Sequence, residues 1–97
     1  MSYKIEVRPL VMIEMAEGFD WYESQRQGLG YEFLESVDQF IAGLTSNPFT
    51  HSFYDEPVRQ GAVNRFPYNV VYEIIGTAVV IYSVFMSKQD PKKKRTK

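Results

Sequence analysis

The chain has no cysteine and a single histidine, His51. Disulfides and thiolate metal centres are therefore excluded. A zinc site would have one imidazole to draw on, so none is expected. No apolar run approaches the ~20 residues needed to span a bilayer. The N-terminus does not start with a basic stretch followed by an apolar one, and a cytoplasmic location is expected. Positive charge is scarce over most of the chain. Five of the eleven basic residues crowd into "KKKRTK", residues 92–97, which leaves six basic against twelve acidic residues elsewhere, a net of −6. An acidic body is a poor footprint for a polyanion, so direct nucleic-acid binding is not expected. The basic tail reads either as a frayed, solvated terminus or as a contact for an acidic partner.

Aromatic residues, by contrast, are abundant. They make up 15% of 97 residues, beside 44% apolar and 24% charged residues overall. Large rings bury much area per residue, which helps so short a chain close a core. One domain over residues 1–91 with a basic tail at 92–97 is the expected organisation.

Periodicity then orders the elements. Tyr3, Ile5 and Val7 alternate with Lys4, Glu6 and Arg8, the period of a half-buried strand. Over residues 10–27 the spacing turns helical, with Ile13, Ala16 and Phe19 or Asp20 as the inward stripe and Trp21 and Tyr22 on its flank. Gly28 suits a left-handed cap between this helix and the next. Phe33, Leu34, Val37, Phe40, Ile41 and Leu44 form the clearest amphipathic stripe in the chain, and Asn47-Pro48 stops it. Two helices with so short a linker should form an antiparallel hairpin. Residues 49–57 read as a loop or ragged strand. Strands are expected over 58–66, 68–75 and 78–86, with Gly76-Thr77 as a hairpin turn and Pro67 between the first two. The run "AVVIYSVF" predicts a central strand covered on both faces. The fold class is α+β, in the order β-α-α-β-β-β. A helical hairpin packs on a mostly antiparallel four-stranded sheet, and the N-terminal strand lies beside the last one.

Residues 20–37, "DWYESQRQGLGYEFLESV", then "VRQGAVNRFPYNVVYEI" and "VVIYSVFMSKQDP", together resemble the RelE/ParE superfamily of type II toxins, the ParE branch most closely. The likeness spans nearly all of residues 3–91. It implies the β-α-α-β-β-β fold and a cytoplasmic toxin kept silent by a cognate antitoxin that covers its helical hairpin and sheet. Assembly as a homo-oligomer or a toxin–antitoxin heterotetramer is an associated expectation, and no cofactor is implied. The ParE branch implies DNA gyrase as target; the RelE branch implies ribosome-dependent cleavage of mRNA.

Cleavage needs cations to hold phosphate and a group to move a proton. Against the RelE pattern, Asn69 stands where an arginine is usual, Met86 where many relatives have histidine, and Gln89 where they have arginine. A thioether moves no proton. Arg59, Arg65 and Lys88 can hold phosphate but have no evident proton carrier beside them. No catalytic residue is therefore assigned, and action by protein contact is the expected mode. An inactive toxin remnant kept as an antitoxin-binding module is the alternative, and an endonuclease a further one. Arg59, Val63 and Arg65 share strand parity and should face one side of the sheet. The two arginines read either as a partner-contact face or as solvated charge. Asn69 and Lys88 extend the candidate contact set, as do Trp21 and Tyr22, whose competing reading is packing.

Overall fold

The computed structural model describes residues 2–87. Lys88, Gln89 and the basic tail lie outside the described residues. Strand β1 (Lys4–Val7) leads into helix α1 (Pro9–Gln25), which turns back as α2 (Leu29–Ser46). Four strands follow: β2 (Phe53–Asp55), β3 (Val58–Ala62), β4 (Tyr68–Ile75) and β5 (Ala78–Met86). They form one sheet in the order β1-β5-β4-β3-β2, with β1 parallel to β5 and every other pair antiparallel. The first strand thus lies beside the last, as its need to hide Ile5 required.

The sheet has five strands, where four were expected. The ragged segment after α2 supplies the extra one, because Phe53 and Asp55 pair with Arg59 and Val58 across an irregular register. A three-residue strand has no room to show a period. The second expected strand is also shorter than residues 58–66. It stops at Ala62, and the chain makes a tight turn in which Arg65 adopts φ 73°. That conformation is uncommon for a residue with a Cβ. Within the turn, the Val63 amide donates to the Tyr68 carbonyl at 2.9 Å and the Tyr68 amide to the Phe66 carbonyl at 2.8 Å.

Helix α1 buries a different stripe from the expected one. Val11 and Gly18 are buried and Met15 and Tyr22 half-buried, whereas Ile13 is 56% exposed. The reason is close approach at Gly18. A Cβ there would stand 2.6 Å from the Phe33 ring, so α1 can settle on α2 only where it has no side chain. Gly18 is therefore a packing requirement. Gly28 (φ 91°) closes the interhelical turn in the left-handed conformation expected of it. The Glu23 carboxylate reaches across that turn and accepts from the Gly28 and Gly30 amides at 2.8 and 2.9 Å. Two of the unpaired donors of the α2 N-terminus are satisfied by a side chain from the preceding helix.

The core lies between the hairpin and one face of the sheet. Phe33, Val37 and Leu44 of α2 meet Tyr68, Val70 and Tyr72 of β4 and Val79, Ile81 and Val84 of β5. Rings of Tyr22, Phe33, Phe66 and Tyr68 stack edge-on or tilted with centroids 4.8–6.2 Å apart. The Tyr72 hydroxyl donates to the Pro48 carbonyl at 2.7 Å, which ties β4 to the end of α2.

Strand β5 is central, but the helices cover one face of it. Its unbroken apolar run has another cause. Val71 pairs with Ser83 and Tyr72 with Ile81, so Tyr82 is an extra, bulged residue. The bulge shifts the inward parity from Val79 and Ile81 to Val84, which makes the run look apolar on both faces. The one fully covered residue of the outer face is Val80, 3% exposed between Glu6 and Glu73 of the flanking strands. Past Ile81, β1 no longer flanks β5. There the Glu14 carboxylate of α1 accepts from the Val84 amide at 2.7 Å and the Ser83 hydroxyl at 2.8 Å. A helix side chain thus stands in for the missing strand.

Candidate functional site

The polar residues singled out in the sequence do not form one cluster. Arg59 pairs with Tyr72 in register and so sits on the helix side of the sheet. Its guanidinium donates to the His51 carbonyl at 2.7 Å and the Phe49 carbonyl at 3.4 Å, and lies 4.1 Å from the Phe53 ring centroid. These contacts pin the loop between α2 and β2. Arg65 lies beyond the end of β3, so the shared parity expected for Arg59, Val63 and Arg65 fails. Its guanidinium meets Glu32 of α2 at 2.8 Å, with Arg26 joining the same oxygen at 3.4 Å. Two exposed cations share one acid where the interhelical turn, with the Glu23 carboxylate in it, meets the β3–β4 turn. The Arg65 bond, with Arg26 contributing, holds the Glu32 carboxyl below its ordinary value.

Asn69 faces the outer side of the sheet, where its amide lies 3.4 Å from the Gln60 side-chain oxygen. Both border a shallow, polar depression of about 340 Å³ beside Thr50, His51 and Ser52. Lys88 lies outside the described residues. Tyr22 belongs to the core rings, while its neighbour Trp21 is 54% exposed. Among the described residues no three His, Asp or Glu side chains gather as a metal site.

His51 stacks on Phe40 with ring centroids 4.8 Å apart and meets Tyr72 edge-on. Burial, with the Arg59 charge nearby, holds its pKa below the usual histidine value. A folded-state pKa below the unfolded one means that the unfolded chain binds the proton more readily. The His51 contribution to stability is therefore complete above pH ~6.5, the unfolded value, and is lost as pH falls below it. Thermal melts from pH 8 to 5 should show a falling midpoint, and His51→Phe should remove part of that slope. An unchanged slope in the variant would place the loss elsewhere. The Glu32 ion pair acts in a lower window, since a depressed carboxylate pKa loses its contribution only as pH falls through the acid range.

The most developed surface feature was not anticipated from the sequence. Met12, Met15 and Ala16 of α1, Leu34, Asp38 and Ile41 of α2, and Val7 of β1 line an open apolar groove of about 370 Å³. Exposed Leu10, Met12 and Ile13 continue the apolar surface along α1. Leu34 and Ile41 had read as core, and they are half-buried groove walls. The available signal was a surplus: residues 10–16 of α1 carry more apolar side chains than one helix face can bury. Methionine suits such a surface because it repacks readily against varied partners.

A second cleft, of about 290 Å³, lies on the other flank of α1 against the end of β5. Glu14, Glu17, Gly18, Trp21, Tyr68 and Met86 line it. Burial, with Tyr22, Glu17 and Glu14 adding, pushes the Tyr68 phenol above its ordinary value. Burial likewise raises Tyr22. Neither phenol is poised to exchange protons near neutral pH. Glu14 is already engaged at both oxygens by Ser83 and Val84.

Hairpin, sheet order and parallel β1–β5 pair can now be compared with known proteins. A chain of the chromosomal ParDE TA system from P. aeruginosa superposes with a TM-score of 0.79 at 11% identity, over 90% of this chain and 98% of that one. The chain has the RelE/ParE toxin fold. A double arginine-to-alanine mutant of E. coli toxin RelE in the free state superposes with a TM-score of 0.70 at 15% identity, over 97% of this chain and 93% of that one. No protein-family model and no curated protein sequence matches the chain. The ParDE chain is the better superposition of the two, in line with the ParE-like resemblance of the sequence.

Proposed function

We propose that this chain is the toxin of a type II toxin–antitoxin pair, that a cognate antitoxin holds it through the α1–α2 groove, and that it acts by protein contact. The observation that carries this reading is the open, methionine-bearing groove on a RelE/ParE toxin fold. A groove between two helices and a strand end suits the apolar face of an amphipathic segment, whose anchors recur every three or four residues. Asp38 at its rim supplies a polar registration point.

Contact is favoured over cleavage by the chemistry at the end of β5. Met86 there is a thioether, Tyr68 and Tyr22 have raised phenol pKa values, and Glu14 is fully hydrogen-bonded. DNA gyrase, implied by the ParE-like resemblance, is the proposed target. Arg65, Asn69 and Trp21 are the proposed target-facing residues, and Lys88, outside the described residues, is proposed with them on its charge alone. Arg59 and Tyr22 would act through the surfaces they hold in place.

Induced alone in bacteria, the chain should arrest growth, and co-expression of the short antitoxin frame expected beside its gene should relieve the arrest. Purified protein should slow gyrase supercoiling. Unimpaired growth with folded protein that still binds the antitoxin would replace this reading with that of an inactive remnant. Message cut at the ribosomal A site would replace it with the endonuclease reading.

A further inference from the structure

We propose that the cleft between α1 and the end of β5 is a receptor for an arginine side chain presented by a protein partner. Tyr68 is 7% exposed, yet its hydroxyl has no hydrogen-bond partner among the described residues. The fully buried phenol of the same strand, Tyr72, donates to a carbonyl. Buried hydroxyls are nearly always partnered, so an orphan one aimed into a cleft marks a place where a ligand atom is accepted. Gly18 keeps the approach open, since even a Cβ there would stand 3.3 Å from the hydroxyl oxygen.

Charge and shape then select the ligand. Glu17 and Glu14 line the same cleft, and neither has an ion-pair partner among the described residues, unlike Glu32 with its two arginines. Both carboxylates act on the Tyr68 phenol, which places their field at the hydroxyl. An anion would be repelled, and an apolar group would leave the hydroxyl unpaired. Trp21 offers an exposed indole on the next turn of the same helix face. A planar guanidinium can stack on an indole while its N–H groups reach a carboxylate and a phenol oxygen, which a compact ammonium does less well.

The cleft lies on the flank of α1 turned away from the groove, since Glu14, Glu17, Gly18 and Trp21 fall roughly opposite Met12, Met15 and Ala16 at 100° per residue. The inference therefore does not depend on the toxin reading.

Trp21 is the chain's single tryptophan, so its emission reports on this cleft alone. The full chain would be titrated with acetyl-Gly-Arg-Gly-amide and with the same peptide carrying citrulline, a neutral mimic of arginine. Saturable change with the arginine peptide and none with the citrulline peptide is expected. Glu17→Gln should weaken binding about tenfold, as loss of a charge-assisted contact does. Tyr68→Phe should weaken it several-fold while the thermal midpoint holds or rises, because it removes an unpaired hydroxyl. A purely structural tyrosine would leave the titration unmoved. No saturable response to the arginine peptide, an equal response to citrulline, or unchanged affinity in Glu17→Gln with wild-type circular dichroism would overturn the proposal.

Discussion

Phe33→Ala should lower the unfolding free energy by about 3–5 kcal/mol, the range for emptying a large aromatic site in a packed core. Phe33 is fully buried and touches three other rings, Tyr22, Phe66 and Tyr68. The same ring lies where α1 presses in at Gly18, so the cavity would open at the junction of both helices and the sheet. A domain of this size has roughly 5–15 kcal/mol in total, so the variant should be close to unfolding at growth temperature. Urea denaturation of both proteins gives the difference directly from the midpoints at equal slope. A loss below about 1.5 kcal/mol would mean that the cluster collapses around the gap and is not the centre of the fold.

The second large effect concerns the groove. The double variant Met12→Glu, Met15→Glu places two carboxylates where an apolar partner face is proposed to lie. Met12 is exposed and Met15 half-buried, so the fold should tolerate both changes. Capture of the antitoxin should weaken by about a hundredfold or more, since burying an unpaired charge at a central contact costs several kcal/mol. Calorimetry with the purified antitoxin measures this. The growth phenotype should separate the two surfaces. A variant that still arrests growth but is no longer rescued by its antitoxin has lost the groove and kept the target-facing side. Retention of wild-type affinity would remove the groove from the interface.

These two variants also show how unevenly the molecule could be read in advance. Phe33 was legible as core because six apolar residues of α2 keep a strict helical period, and the alternation of β1 and the glycine of the Gly76 turn (φ 62°) were equally local signals. The groove was not, because Met12 and Leu34 look like ordinary apolar helix residues until the spacing between α1 and α2 is known. Arg65 misled for a similar reason. Counting by twos from Arg59 is sound only while the strand lasts, and β3 ends at Ala62 in favour of a turn. The five-strand sheet exceeded the expected four because β2 is held by its pairing with β3 and by Arg59 pinning the preceding loop, neither of which leaves a local pattern.

Order along the chain, the helical hairpin and the apolar heart of α2 were implicit in spacing, since each depends on residues a few positions apart, whereas the place of β1 beside β5 followed from its need to cover an apolar face, Lys4 meeting Ala78. Side-chain contacts that follow no period came from folding alone: Glu23 closing the start of α2, Glu14 replacing a strand beside Val84, the bulge at Tyr82, and the unpaired hydroxyl of Tyr68 in one cleft with Glu17 and Trp21. A one-dimensional period records which side of an element is apolar. Which side meets another element, and which is left open to a partner, is set by close packing at points such as Gly18, where the absence of a side chain lets two helices and a sheet converge.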